Sequence, residues 1–119
     1  MEVVDEILAV LDDIRQKNLL VIVEGKKDAE SLYEVGIANV LQLKKPLFAV
    51  VEEIASKTKE VVLLTDLDDE GKKLYHELAR DLQKNGVKVD NRLRELLFKT
   101  PLRHVEGLSG FLARAQLVR

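Results

Sequence analysis

The sequence predicts an α/β fold with a four-stranded, mainly parallel sheet and helices on both of its faces, in three layers. Apolar segments of strand length alternate along the chain with amphipathic segments of helical period, which is the order of β–α–β units. The two longest strand-like runs are apolar without alternation, as expected for parallel strands that are buried on both faces. With 119 residues, the chain is long enough for one domain with its own core.

The first half of the chain predicts three helices and two strands. Apolar residues at three- and four-residue spacing predict a helix over residues 2–17, and the branched apolar run 19–23 predicts a buried strand. The pattern becomes helical again over residues 28–35. A short strand follows at 39–43, and Pro46 marks the start of the third helix, since proline is common in a first helical turn.

The second half repeats this alternation. Residues 61–65 predict another buried strand, and residues 71–85 predict a helix with leucines along one face. A brief fourth strand follows at 87–89. Residues 91–98 predict a further helix, and apolar residues within 105–112 predict a last short one.

The composition favours a protein of the reducing cell interior. The chain has no cysteine, which excludes disulfides and cysteine-based metal sites. No stretch approaches the ~20 consecutive apolar residues that span a bilayer, and the acidic first residues are unlike a secretion signal. We therefore expect a cytoplasmic protein with no membrane partner.

Charge is distributed unevenly along the chain. The formal net charge is -2, but residues 1–87 carry -6 and residues 88–119 carry +4. Divalent cations bound in the acidic part would make the sum positive, so the near-neutral balance is compatible with a polyanionic partner once metal is bound. The basic residues near the end are either a solvated face or a track for a nucleic-acid backbone. These are Lys88, Arg92, Arg94, Lys99 and Arg103.

Acidic residues follow two of the predicted buried strands. Glu24 comes directly after the first, and Asp66 and Asp68 come after the third. The carboxyl ends of parallel strands meet at one edge of a sheet, so these side chains can converge although 42 positions separate Glu24 from Asp66. Carboxylates crowded in this way repel one another, and a cation relieves the repulsion. Oxygen ligands without His or Cys favour Mg²⁺ or Mn²⁺.

Two motifs in this context resemble the Toprim domain of topoisomerases, primases and certain nucleases. Both stand where a strand leads through a turn into a helix, and the resemblance covers residues 19–89. Residues 1–18 then form an added N-terminal helix and residues 90–119 a C-terminal helical extension, similar to the tail of small prokaryotic, notably archaeal, Toprim proteins. The motifs are Glu24-Gly25-x-x-Asp28 and Asp66-x-Asp68-x-Glu70-Gly71.

The resemblance implies roles for the acidic residues. Glu24, Asp66 and Asp68 would be the catalytic group, with Glu24 as a metal ligand and general acid or base. Asp66 and Asp68 would hold one or two Mg²⁺ ions, for which Mn²⁺ is a substitute. Glu70 matches a third acid that many members carry and would be a further ligand. Asp28 is of secondary rank, either part of the site or a helix-start acid favoured by the helix dipole.

The residues beside these acids suit phosphate. Gly25 and Gly71 leave room for a bulky anionic ligand, and Lys26 and Lys27 would contact it as point charges. The resemblance thus implies a Mg²⁺-dependent protein that handles nucleic-acid phosphodiesters, by nuclease-like hydrolysis of RNA or DNA. The alternative is a non-catalytic metal and nucleic-acid binding module within a larger assembly. The separate nucleophilic-tyrosine domain of topoisomerases and the zinc-binding part of primases have no counterpart in this chain.

Other interpretations of the same residues carry less weight. The spacing from Asp66 to Glu77 reproduces a calcium loop, but an EF-hand needs a helix entering the loop where residues 61–65 predict a strand. A response-regulator phosphoacceptor domain would need a pair of acids after the first strand. His76 and His104 are expected at the surface rather than as ligands.

Overall fold

A computed structural model describes residues 2–117 of the chain. It contains a sheet of four parallel strands in the order β2-β1-β3-β4. This confirms the predicted α/β class. The strands are β1 (Leu20–Val23), β2 (Val40–Gln42), β3 (Glu60–Leu63) and β4 (Lys88–Asp90).

Six α-helices and one 3₁₀ turn surround this sheet. Most bounds agree with the sequence pattern within two residues, and the exception is the last helix, which was predicted within 105–112 and runs over Leu108–Leu117. The helix after β1 begins at Lys26 rather than at 28, and the helix after β3 begins at Asp69 rather than at 71. The helices are α1 (Val3–Lys17), α2 (Lys26–Glu34), α3 (Leu47–Lys57), α4 (Asp69–Lys84), α5 (Arg92–Leu97) and α6 (Leu108–Leu117), with the 3₁₀ turn at Val105–Gly107.

The sheet separates two apolar cores, as the three-layer prediction requires. Alternate residues of a strand point to opposite faces, so neighbouring β1 residues enter different cores. Val21 packs with α1, α2, α5 and α6, whereas Ile22 packs with α3 and α4. Both side chains are fully buried. All helices except the third and fourth therefore lie on one face.

The pairing of β1 with β3 positions the site. Val21 lies opposite Val62 and Ile22 opposite Leu63, so the two strands end at the same level of the sheet. Their carboxyl ends thus open side by side at one edge. Among residues 2–117, no helix is both long enough and apolar enough to cross a bilayer.

Candidate metal centre

The acids that follow β1 and β3 are in direct contact. Glu24 comes directly after β1, and Asp66 follows β3 after the two buried residues Leu64 and Thr65. The backbone N–H of Asp66 donates a hydrogen bond of 2.7 Å to Oε2 of Glu24. The two acids therefore meet at the sheet edge, where the sequence placed them.

Each of the three central carboxylates is held through one of its oxygens. Oδ1 of Asp66 accepts a hydrogen bond of 2.9 Å from the backbone N–H of Val105. Oδ1 of Asp68 accepts one of 2.8 Å from the N–H of Gly71. Within the described residues, the second oxygens of Glu24, Asp66 and Asp68 make no such bond. The acids are thus oriented by the backbone and still have an oxygen available for a cation.

The start of α4 explains why residue 71 is glycine. Asp68 is the N-cap of this helix, and a Cβ on Gly71 would lie 2.0 Å from the carbonyl oxygen of Asp66. The hydroxyl of Thr65 also donates a hydrogen bond of 2.8 Å to the carbonyl of Gly71. Gly71 is buried and tightly apposed to the strand end. Glycine is required here by the close approach of the chain to itself, whatever part the residue has in binding phosphate.

The buried side chain of Arg94 holds the loop that carries Asp66. Its Nε donates to the carbonyl of Thr65 at 3.1 Å, and its Nη2 donates to the carbonyl of Asp66 at 2.9 Å. The guanidinium lies 4.5 Å from the ring centre of Tyr75 and 4.8 Å from that of Phe98. Arg94 is only 4% exposed, and this burial lowers its pKa. It is therefore a structural cation of the site loop, and both surface roles proposed for it from sequence are wrong.

The other members of the predicted basic cluster do not share one role. Arg92 forms ion pairs with Asp90 at 2.9 Å and with Asp13 at 2.8 Å. Lys88 and Lys99 are exposed. Arg103 is exposed too and continues the segment that returns to the acidic loop. Fewer positive charges in this cluster are therefore available to a polyanion than the sequence indicated, because Arg92 is paired and Arg94 is buried.

Electrostatic repulsion is concentrated at this edge. Burial is the main cause that raises the pKa of Glu24, the hydrogen bond from the Asp66 N–H opposes it, and the negative charge of Asp66 adds to the rise. Burial also raises the pKa of Asp28, again with a contribution from Asp66. Asp28 is 7% exposed and accepts a hydrogen bond of 3.1 Å from the N–H of Gly25. A bound cation would relieve this repulsion.

The remaining predicted site residues divide into two groups. Lys26 and Lys27 are exposed in the first turn of α2 and line a shallow depression together with Glu24 and Asp66. Glu70 is exposed in the first turn of α4 and, among the described residues, stands outside the group of close ligand atoms that Asp66 belongs to. The lysines thus line the same depression as Glu24 and Asp66, whereas Glu24 and Glu70 both lie outside the close group that Asp66, Asp68 and His104 form among the described residues.

His104 lies at the site, although no pattern in the sequence placed it there. Its Nδ1 is 3.6 Å from Oδ2 of Asp66 and 3.9 Å from Oδ2 of Asp68. The three side chains offer ligand atoms that all lie within 4.8 Å of one another, a group that could hold a metal ion. His104 is an exposed residue, as predicted, but not one remote from the acids. His104 reaches the acids because the segment after α5 folds back onto the acidic loop. The periodicity of the sequence does not predict such a contact.

The EF-hand interpretation is wrong. The segment that enters the acidic loop is strand β3, bonded on both sides within the sheet. A calcium loop of that kind is entered from a helix.

Comparison with known proteins identifies the family. The Toprim domain model matches residues 19–94. A UPF0292 protein of Pyrococcus abyssi is 36% identical over 113 residues, which cover 92% of this chain and 86% of the relative. One of Methanocaldococcus jannaschii is 29% identical over 119 residues, with 93% of each chain covered.

Two solved structures resemble the fold. A putative protein from Aquifex aeolicus superimposes with a TM-score of 0.76 at 31% identity, covering 86% of this chain and 94% of its own. The zinc-binding and RNA polymerase domains of the Aquifex aeolicus primase give a TM-score of 0.53 at 24% identity, covering 87% of this chain and 27% of the primase chain. The second likeness concerns the fold alone. The family match and the archaeal relatives together show that this chain belongs to the Toprim domain family and groups with the UPF0292 proteins.

Proposed function

We propose that this protein binds Mg²⁺ at Glu24, Asp66 and Asp68 and hydrolyses phosphodiester bonds of RNA or DNA. The observation that carries the proposal is the 2.7 Å hydrogen bond that joins Glu24 to the backbone of Asp66. It brings residues from two strand ends together at the sheet edge, where α/β proteins bind ligands.

The donor set suits a hard divalent cation. Each of the three acids has one oxygen fixed by a backbone N–H and presents carboxylate oxygen, the ligand that Mg²⁺ and Mn²⁺ prefer. Such a cation, when bound, polarises a phosphodiester and lowers the pKa of a coordinated water. Glu70, exposed at the start of α4, is the candidate ligand for a second ion.

The remaining chemistry falls to residues of the chain itself. Burial raises the pKa of Glu24 above its ordinary value, which favours its use as a general acid or base. Lys26 and Lys27 line the same depression as Glu24 and would bind the phosphates that flank the scissile bond. Beside them, a Cβ on Gly25 would meet no atom closer than 4.0 Å, so this side of the depression is open to a ligand.

Cleavage assays with matched variants test the proposal. Purified protein is incubated with structured RNA and with DNA in Mg²⁺, and Asp66→Asn is compared with Asp69→Asn. Asp69 is exposed in the first turn of α4 and lies outside the group of close ligand atoms formed by Asp66, Asp68 and His104. We expect Asp66→Asn to lose at least ~100-fold in rate and Asp69→Asn to stay within about two-fold of wild type. Equal cleavage by wild type and Asp66→Asn would contradict the assignment.

A second function is metal-dependent binding of nucleic acid without cleavage, as a module of a larger assembly. The openness of the depression favours it, since His104 is 55% exposed and both lysines beside the acids face solvent. Its signature is salt-sensitive binding of labelled RNA or DNA with no turnover. The double variant Lys26→Ala, Lys27→Ala should then reduce the salt dependence, whereas Lys59→Ala, exposed at the opposite sheet edge, should not.

A further inference from the structure

His104 belongs to a segment that is tied to the acidic loop on both sides. The backbone N–H of Leu67 donates to the carbonyl of Arg103 at 3.0 Å, and the N–H of Val105 donates to Oδ1 of Asp66 at 2.9 Å. These two hydrogen bonds flank residue 104 directly. The backbone of His104 is therefore fixed relative to Asp66, although 38 positions separate them.

We propose that His104 is a metal ligand together with Asp66 and Asp68, and that this carboxylate–imidazole group makes the site prefer a first-row transition dication to Mg²⁺. The inference rests on the proposed metal site and adds a ligand and a selectivity to it. The segment that supplies His104 lies beyond residues 19–94, the part that matches the Toprim model. The metal preference of this chain is thus set by its C-terminal extension.

The distances fit a shared cation better than a direct contact. Separations of 3.6 Å and 3.9 Å between Nδ1 of His104 and the two aspartate oxygens are too long for hydrogen bonds. Two ligands that each lie ~2.1 Å from one ion are roughly 3.0 to 3.4 Å apart at octahedral or tetrahedral angles. The observed separations exceed these by about 0.2 to 0.9 Å, a distance that the side chain of an imidazole 55% exposed can close by rotation.

Ligand chemistry gives the direction of the preference. Mg²⁺ takes oxygen ligands almost exclusively and retains several waters, so an imidazole adds little to its binding. Nitrogen ligation strengthens the binding of transition dications, with Mn²⁺ the weakest of the series. A preference that is measurable with Mn²⁺ should therefore be larger for the later ions.

Electron spin-echo spectroscopy of bound Mn²⁺ tests the ligand directly. Wild-type protein should show ¹⁴N modulation from a coordinated imidazole, His104→Gln should lose it, and His76→Gln should keep it. His76 is the control because it is exposed on α4, where it contacts the ring of Tyr75. Competition titrations should show that His104→Gln weakens Mn²⁺ binding about ten-fold and Mg²⁺ binding by less than about two-fold. Circular dichroism confirms that each variant is folded.

The outcomes separate this inference from the proposed function. If Mn²⁺ binds, Asp66→Asn weakens it and wild type shows no ¹⁴N modulation, His104 is not a ligand while the acidic site stands. Modulation that persists in His104→Gln overturns the inference in the same way. If Asp66→Asn leaves Mn²⁺ binding unchanged, the acidic site itself is wrong and the inference is overturned with it.

Discussion

Replacing Gly71 with alanine separates the effect of packing at the site from that of helix propensity. Alanine is the better helix former by about 1 kcal/mol, so propensity alone predicts that Gly71→Ala stabilises α4. The structure predicts the opposite. The new Cβ would lie 2.0 Å from the carbonyl oxygen of Asp66 and 2.5 Å from its carbonyl carbon, and both are backbone atoms that cannot rotate away.

The size of the effect follows from that clash. Relieving it moves α4 and the Asp66 loop apart by roughly 1 Å, and overpacking of this kind costs about 1–3 kcal/mol, sometimes more. The movement also stretches the 2.8 Å hydrogen bond from Thr65 to Gly71, which contributes about 1 kcal/mol. We expect a total loss of about 3 kcal/mol in the free energy of unfolding. Metal affinity should fall as well, because Asp66 and Asp68 are displaced relative to each other.

Urea denaturation and Mn²⁺ titration measure the two effects, with Gly25→Ala as the control. A Cβ on Gly25 has its nearest neighbour at 4.0 Å, and the backbone there is extended, with φ of -147°. We expect this control to change stability by less than about 0.5 kcal/mol. If Gly71→Ala is as stable as wild type and binds Mn²⁺ equally well, the proposed packing of α4 against the Asp66 loop is wrong.

Two further variants test the support and the electrostatics of the site. Arg94→Met removes two charge-assisted hydrogen bonds to loop carbonyls and should lower the free energy of unfolding by about 3 kcal/mol. The control Arg80→Met removes an exposed ion pair and should lower it by less than about 0.5 kcal/mol. Equal losses measured by urea denaturation would contradict the proposed support of the loop by Arg94. Glu24→Gln should be more stable than wild type at neutral pH without metal, because a raised pKa means that ionising Glu24 opposes folding. That advantage should shrink as the pH falls through the raised pKa of folded Glu24, and it should be gone below the ordinary value of 4.5, where Glu24 is protonated in both states. Saturating Mg²⁺ should reverse the order, and a metal-free Glu24→Gln that is less stable than wild type at neutral pH would refute the reasoning.

The fold and the acidic contact were predictable because they depend on local patterns. Unalternating apolar runs such as 19–23 report strands buried on both faces, and alternation with helical segments leads to a parallel sheet. In a parallel sheet, acids that follow two strands can converge at its carboxyl edge, and they do so here because β1 and β3 are neighbours. Glu24 and Asp66 could therefore be paired across 42 positions without any contact information.

The supporting residues could not be predicted, because their roles depend on where an irregular segment returns. Arg94 looks like any other basic residue in sequence, and only the packing of α5 under the loop makes it a donor to the carbonyls of Thr65 and Asp66. His104 likewise reaches the site through two backbone hydrogen bonds that flank it. The steric role of Gly71 could not be predicted either, since the carbonyl oxygen of Asp66 approaches it only once the loop between β3 and α4 has folded.

The proposed binding of a divalent cation at the carboxyl ends of β1 and β3 underlies all of these predictions. A crystal of the protein soaked in Mn²⁺ tests it most directly, through the anomalous scattering of the ion. We expect a peak within about 2.3 Å of Oδ2 of Asp66 and Oδ2 of Asp68, beside Glu24. A peak held only by other residues, or no peak at this edge at saturating Mn²⁺, would contradict it.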